Sequence, residues 1–200
     1  MSQTVHLVRH GKVENPGNVI YGRLPGFHLS ELGRKQAASA AGRLAAVEIG
    51  AIWSSPLERA QETAAIIGAG HDVQIRTDER LIESGTTLEG VGRTLKSFLT
   101  TPAKWWSLRA PWRPSWGESF VEIRSRMEEA IGEAMAAVPG GNDVVIVSHE
   151  TPVLVARLAL ARRNVPPWLA LTSCDTGSIT SLTLDDDGSV ISASYFVPEA

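Results

Sequence analysis

The chain has almost no cysteine, no surplus of either charge and no long apolar run. Its single thiol, Cys174, excludes an internal disulfide and a thiolate zinc cluster, and it reads as an idle, buried side chain. Lys plus Arg number 19 against 22 Asp plus Glu, a net charge of −3. Without a basic field, neither nucleic acid nor an anionic membrane is an expected partner, and any anion site must be built locally from a few arginines. No stretch approaches the roughly 18 apolar residues of a membrane helix. Met1 to His10 offers neither the basic leader nor the apolar core of a secretory signal. The expectation is a cytoplasmic protein that needs neither metal nor cofactor. The hydrophobic fraction of 43% is that of a globular chain, and 200 residues fit a single domain spanning 1–200.

Short β-branched segments alternate with helical ones. Thr4 to Arg9 reads as a first strand, and Asn15 to Gly26 as a Gly- and Pro-bearing loop. Ser30 caps a helix to about Val47, with Leu32, Ala37, Ala40, Ala41 and Leu44 on its inner face. Ala51 to Ser54 is a second strand. Ser55-Pro56-Leu57-Glu58 then reads as a capping box opening a helix to about Gly68. Val73 to Arg76 is a weaker third strand. A second capping box at Ser119 and Glu122 starts a helix to about Val138, and Asp143 to Ser148 is the clearest buried strand. Thr151-Pro152 opens a helix to about Ala161. Gly177 to Leu184 and Val190 to Val197 pair across the turn Asp185 to Gly188. The pattern predicts a three-layer α/β/α sandwich, its mostly parallel sheet closed by an antiparallel edge hairpin. Residues 86–117 break it as a Trp- and Pro-rich insertion, with Trp105, Trp106, Trp112 and Trp116 among Pro102, Pro111 and Pro114.

Ligands of open α/β sheets bind beyond the carboxyl ends of strands. Arg9 and His10 stand at the first such end, Arg59 follows the second strand, Glu83 the third, and His149 the strong DVVIVS strand. This set suits a phosphate monoester. Arginine forks match its non-bridging oxygens. One histidine, its tautomer fixed, can attack phosphorus, while a second stabilises the transferring group. A glutamic acid can protonate the leaving oxygen. Asp78, Glu79 and Glu89 lie close enough in sequence to compete with Glu83, and His6, His28 and His71 read as structural.

The run Leu7-Val8-Arg9-His10-Gly11 resembles the RHG signature of the histidine phosphatase superfamily, the phosphoglycerate-mutase-like proteins. The resemblance continues through Gly22, Leu29 to Ala37, Ser54 to Ala64, Leu81-Ile82-Glu83, Gly117-Glu118-Ser119 and Val147 to Glu150, in the family's order. It implies that His10 is the nucleophile and becomes phosphohistidine. Arg9, Arg59 and His149 would hold the phosphoryl group, and Glu83 would donate the proton. Tyr21, Gly22 and Arg23 would line the substrate side, Asn15 would bind substrate as well, and Thr151 would add a contact to the phosphate. The family usually carries Thr or Ser where Val13 stands, so one hydroxyl is missing, and Asn15 sits one position early.

Rival chemistries lack their residues. Cys174 has Thr180 where a cysteine phosphatase needs arginine, and neither a phosphate-binding P-loop nor a G-x-S-x-G elbow is present. The expectation is a phosphatase acting on a small phosphorylated substrate. A phosphoglycerate-mutase-type isomerase and an idle phospho-ligand-binding domain are the alternatives. The aromatic content permits a homodimer.

Overall fold

The computed structural model describes residues 2–93, 117–138, 141–162 and 174–199. Most of the 86–117 insertion, with its four tryptophans, Arg109 and Arg113, lies outside them.

Six strands form one sheet in the order β3-β2-β4-β1-β5-β6. They are β1 (Gln3–Arg9), β2 (Ile49–Ser54), β3 (Ile75–Thr77), β4 (Asp143–Ser148), β5 (Ile179–Leu184) and β6 (Val190–Phe196). The first four run parallel, and β5 and β6 add the antiparallel edge. In the central strands both faces are covered, which is why β4 reads as an unbroken apolar run rather than an alternation. Val144 and Ile146 face one core with Val5 and Leu7, while Val145 and Val147 face the other with Val8. Helices α1 (Glu31–Leu44) and α2 (Glu58–Gly68) cover the second face; α3 (Phe120–Ala136) and α4 (Glu150–Leu160) cover the first. This is the three-layer sandwich expected from the sequence.

Local chemistry sets most boundaries. The Ser119 hydroxyl accepts from Glu122 N–H, and the Glu122 carboxylate accepts from Ser119 N–H at 2.7 Å, closing the predicted box of α3. Asp185 Oδ1 accepts from the backbone of Asp187 and Ser189, which fixes the β5–β6 turn.

Two expectations fail. The inner face of α1 carries Gly33 and Gln36 beside the expected Ala37, Ala40, Ala41 and Leu44, whereas Leu32 is only half-buried. A side chain at Gly33 would meet the Lys12 carbonyl oxygen at 2.0 Å, so the loop after β1 sits directly on the helix backbone there. Nor does Ser55 cap α2: the helix begins at Glu58 with Leu57 at the cap position and no side-chain cap bond. The Ser55 hydroxyl is used elsewhere, as described next.

Candidate active site

The parallel register decides which residues meet. Arg9 pairs with Ser148 across β1 and β4, so His10 and His149 emerge side by side where these strands end. The His10 N–H donates to the Ser148 carbonyl, and the Ser55 N–H donates to the Val147 carbonyl from the other flank. The two imidazoles stand with ring centroids 5.0 Å apart. Both are buried.

His10 Nδ1 lies 2.7 Å from the Gly11 carbonyl oxygen. A carbonyl only accepts, so Nδ1 carries the proton and Nε2 presents a lone pair. Burial, and then the charges of Arg59 and Arg9, hold the His10 pKa well below 6.5, keeping the ring neutral. The loop is braced from beneath, because Gly11 N–H donates to Thr63 Oγ1, whose hydroxyl donates to the Arg59 carbonyl. A Cβ at Gly11 would meet the Gly33 carbonyl oxygen at 2.4 Å, so only glycine fits between His10 and α1.

Arg59 occupies the first turn of α2, where a cation opposes the helix dipole. Its side chain is fully buried, yet no carboxylate among the described residues pairs with it. One nitrogen donates to the Gly22 carbonyl at 2.6 Å. Nε and Nη1 are buried without partners. The guanidinium lies over the Tyr21 ring at 4.9 Å, and Tyr21 in turn stacks on Phe27. Burial lowers the Arg59 pKa, but a guanidinium stays charged at any working pH.

His149 is held by Ser55, with Nε2 at 2.7 Å from its hydroxyl, while Nδ1 is buried without a partner. Desolvation, then the neighbouring His10 and the two arginines, keep its pKa well below 6.5. Arg9 is more engaged than the sequence suggested. It donates to the Cys174 carbonyl and pairs with Glu150 Oε2 at 2.7 Å, leaving Nε buried and unpartnered. Arg9 Nε, two nitrogens of Arg59 and His149 Nδ1 are thus buried polar atoms without a partner among the described residues. Such groups are costly in a protein interior unless an anion completes them. The N-terminus of α4 adds to this, since Glu150 and Thr151 occupy its first two positions, where backbone N–H groups lack intrahelical acceptors.

Glu83 faces the same charges. Burial raises its pKa, and the Glu150 carboxylate adds to the rise against the opposing Arg9 and Arg59. Its Oε1 accepts the Ser84 N–H at 2.8 Å. Of the competing carboxylates, Asp78 is bound to Arg80, and Glu89 accepts the Arg23 N–H. Arg23 serves as a brace. Its Nε donates to the Glu83 carbonyl at 2.6 Å and its Nη2 to Glu118 at 2.9 Å. Gly22 sits at φ +43°, and a Cβ there would meet Glu89 Oε1 at 2.4 Å. Asn15 closes its own loop, accepting from Val19 N–H and donating to Val19 C=O, and it lines the cleft described below.

Beyond Arg9 and Tyr21 opens a cleft of about 940 Å³, lined by Lys12, Val13, Lys35 and Arg93 among others. Among the described residues no group of His, Cys, Asp and Glu forms a metal site, and no helix is long and apolar enough to cross a membrane. Cys174 is buried, which pushes its thiol up to about 11 and leaves it inert. Ser55, Thr63, Gly33 and Glu150 are the positions that reasoning from strand ends passed over. All four fall inside the motif blocks.

The strand ends of this α/β sheet thus bring two neutral histidines into ring contact, with the charges of Arg9 and Arg59 bearing on both and on the Glu83 carboxyl. The sequence matches the histidine phosphatase superfamily (branch 1) over residues 5–195, and the chain belongs to that family. It is 47% identical over 185 residues to an uncharacterised protein of Mycobacterium tuberculosis strain H37Rv, covering 92% of this chain and 91% of that one. It is 33% identical over 187 residues to the glucosyl-3-phosphoglycerate phosphatase of the same strain, covering 88% of this chain and 83% of that protein. The native structure of the mycobacterial glucosyl-3-phosphoglycerate phosphatase superposes with a TM-score of 0.79 at 29% identity, over all of both chains.

Proposed function

We propose that the chain, acting as a single domain, hydrolyses phosphate monoesters of small polar molecules through a covalent phosphohistidine at His10. The observation that carries this reading is the set of buried polar atoms on Arg9, Arg59 and His149 that have no partner among the described residues, together with the lone pair left on His10 Nε2. A phosphoryl group supplies acceptors for all of them.

In the first step the Nε2 lone pair attacks phosphorus in line, the ester P–O bond breaks, and Glu83 gives its proton to the departing oxygen. The raised pKa of Glu83 keeps that proton available. In the second step the Glu83 carboxylate takes a proton from water as the water oxygen attacks phosphorus. The N–P bond then breaks, the electron pair returns to Nε2, and inorganic phosphate leaves. Both imidazoles are neutral before attack; in the intermediate the His10 ring, bonded to phosphorus at Nε2 and protonated at Nδ1, is positively charged and donates to the Gly11 carbonyl, while the two arginines meet the phosphoryl oxygens. The substrate's remaining body would lie in the polar cleft beyond Tyr21. No step calls on a metal.

A hydrolysis panel of phosphomonoesters tests this, and it includes glucosyl-3-phosphoglycerate and 3-phosphoglycerate with and without a chelator. Release of inorganic phosphate, unchanged by chelator and abolished in His10→Ala, is the expected result. Conversion of 3-phosphoglycerate to 2-phosphoglycerate without phosphate release would make the protein a mutase instead. No turnover of any ester would leave a binding domain.

A further inference from the structure

The buried serine before α2 does not cap that helix, and its hydroxyl is turned to another partner. Ser55 and His149 are both fully buried, and the serine hydroxyl makes two contacts: it receives the Leu57 N–H at 3.4 Å and meets His149 Nε2 at 2.7 Å. Among the described residues the hydroxyl proton therefore has one acceptor within reach, the imidazole nitrogen. If Nε2 carried the ring proton instead, the serine proton would be buried with no acceptor and the Nδ1 lone pair would meet the incoming anion. Both are penalised in a dry site.

We propose that Ser55 is a positioning residue of the reaction: its hydroxyl donates to Nε2 of His149 and so places the imidazole's own proton on Nδ1, making His149 a hydrogen-bond donor to the phosphoryl group while the ring is neutral. This rests on the phosphatase reading above, and the residue acts wholly through His149. The geometry that permits it is set by the sheet. Ser55 N–H binds the Val147 carbonyl, which locks the serine opposite the end of β4, and Gln61 holds the Ser55 carbonyl at 2.6 Å. His10 and His149 thereby have complementary tautomers. The carbonyl of Gly11 draws the proton to Nδ1 of His10 and exposes a lone pair for attack. The hydroxyl of Ser55 fills the lone pair on Nε2 of His149 and exposes a proton for binding. One neutral ring serves as nucleophile and the other as donor because their partners differ in kind.

Two measurements on the intact protein test the assignment. In long-range ¹H–¹⁵N spectra of histidine-labelled wild type near neutral pH, His149, identified by its loss in His149→Ala, is expected to show the Nδ1-protonated pattern. The Nε2-protonated pattern overturns the proposal, and this readout needs no variant of Ser55 to fold. Second, Ser55→Ala is expected to lower kcat on an aryl phosphate about tenfold, the equivalent of one lost charge-directed hydrogen bond. In a His149→Ala background it should cost less than about twofold. An equal loss in both backgrounds, or no loss in the wild type, overturns it. If His10→Ala stays active, the phosphohistidine reading has failed. If His10→Ala is dead and Ser55→Ala is unimpaired, only the role of Ser55 has.

Discussion

Replacing Arg59 with methionine separates what the folded state needs from what the reaction needs. In the ligand-free protein the guanidinium leaves two nitrogens buried without partners, at about 1–3 kcal/mol each. Against this stand one charged hydrogen bond to the Gly22 carbonyl, worth about 1.5–3 kcal/mol, and the Tyr21 stacking, worth about 0.5–2 kcal/mol. The gains and costs nearly cancel, and even a buried ion pair exchanged for apolar groups of similar volume is commonly neutral or stabilising by about 1–4 kcal/mol. Arg59→Met is therefore expected to be between neutral and about 2 kcal/mol more stable. That corresponds to a rise of up to roughly 4–8 °C in unfolding midpoint for a chain of this size. Its kcat/KM should fall at least about 10²–10³-fold, the cost of removing a donor aimed at the transition state. Inorganic phosphate at about 100 times its Kd should stabilise the wild type by about 2.7 kcal/mol and leave the variant unmoved. Calorimetry with and without phosphate, beside aryl phosphate kinetics, reads all three. A variant destabilised by more than about 2 kcal/mol, or one that keeps its activity, would falsify the view that this arginine is held at a cost for an anion.

Other consequences follow from the same charges. Removing the carboxylate that occupies Arg9 by Glu150→Gln should tighten inhibition by inorganic phosphate about two- to fivefold, the scale of a half-exposed ion pair; weaker inhibition would mean that Glu150 orients Arg9 rather than competes for it. Because the Glu83 pKa is raised and its protonated form is the acid, kcat/KM should decline as pH rises through that raised value, and Glu83→Gln should lose the decline with most of its activity. Stability has the opposite dependence through the histidines. His6, His10 and His149 all titrate below 6.5 when folded, so the unfolded chain binds more protons as pH falls under that value. Their contribution is complete above 6.5 and lost on acidification towards the depressed pKa values, at about 1.4 kcal/mol per pH unit for each. Urea titrations from pH 7.5 down to 5 should show this slope shrink in His10→Ala. A flat profile would contradict the burial of neutral imidazoles.

The sheet was legible because its central strands are covered on both faces, so β1 and β4 appear as continuous β-branched runs, and the Asp185 to Gly188 turn announced the edge hairpin. The meeting of His10 and His149 was legible because both stand at the ends of adjacent parallel strands. What sequence could not supply was the use of each polar group. Ser55-Pro56-Leu57-Glu58 satisfies the pattern of a capping box, but pattern alone cannot say that a histidine two strands' breadth along the chain would claim the hydroxyl. Asn15 and Arg23 have chemistry suited to phosphate, yet their hydrogen bonds close a loop and brace Glu83. Leu32 fits the helical period, and Gly33 displaces it from the core because a backbone must pass there. Periodicity reports side chains seeking burial; it is blind to backbone packed against backbone.

Rapid quenching of the protein with a ³²P-labelled aryl phosphate, followed by peptide mapping, tests the central claim most directly. An acid-labile, base-stable phosphoryl group on the peptide carrying His10, formed and lost at rates compatible with turnover, is the predicted outcome. Full turnover with no label on that peptide, or label on His149 instead, would contradict it.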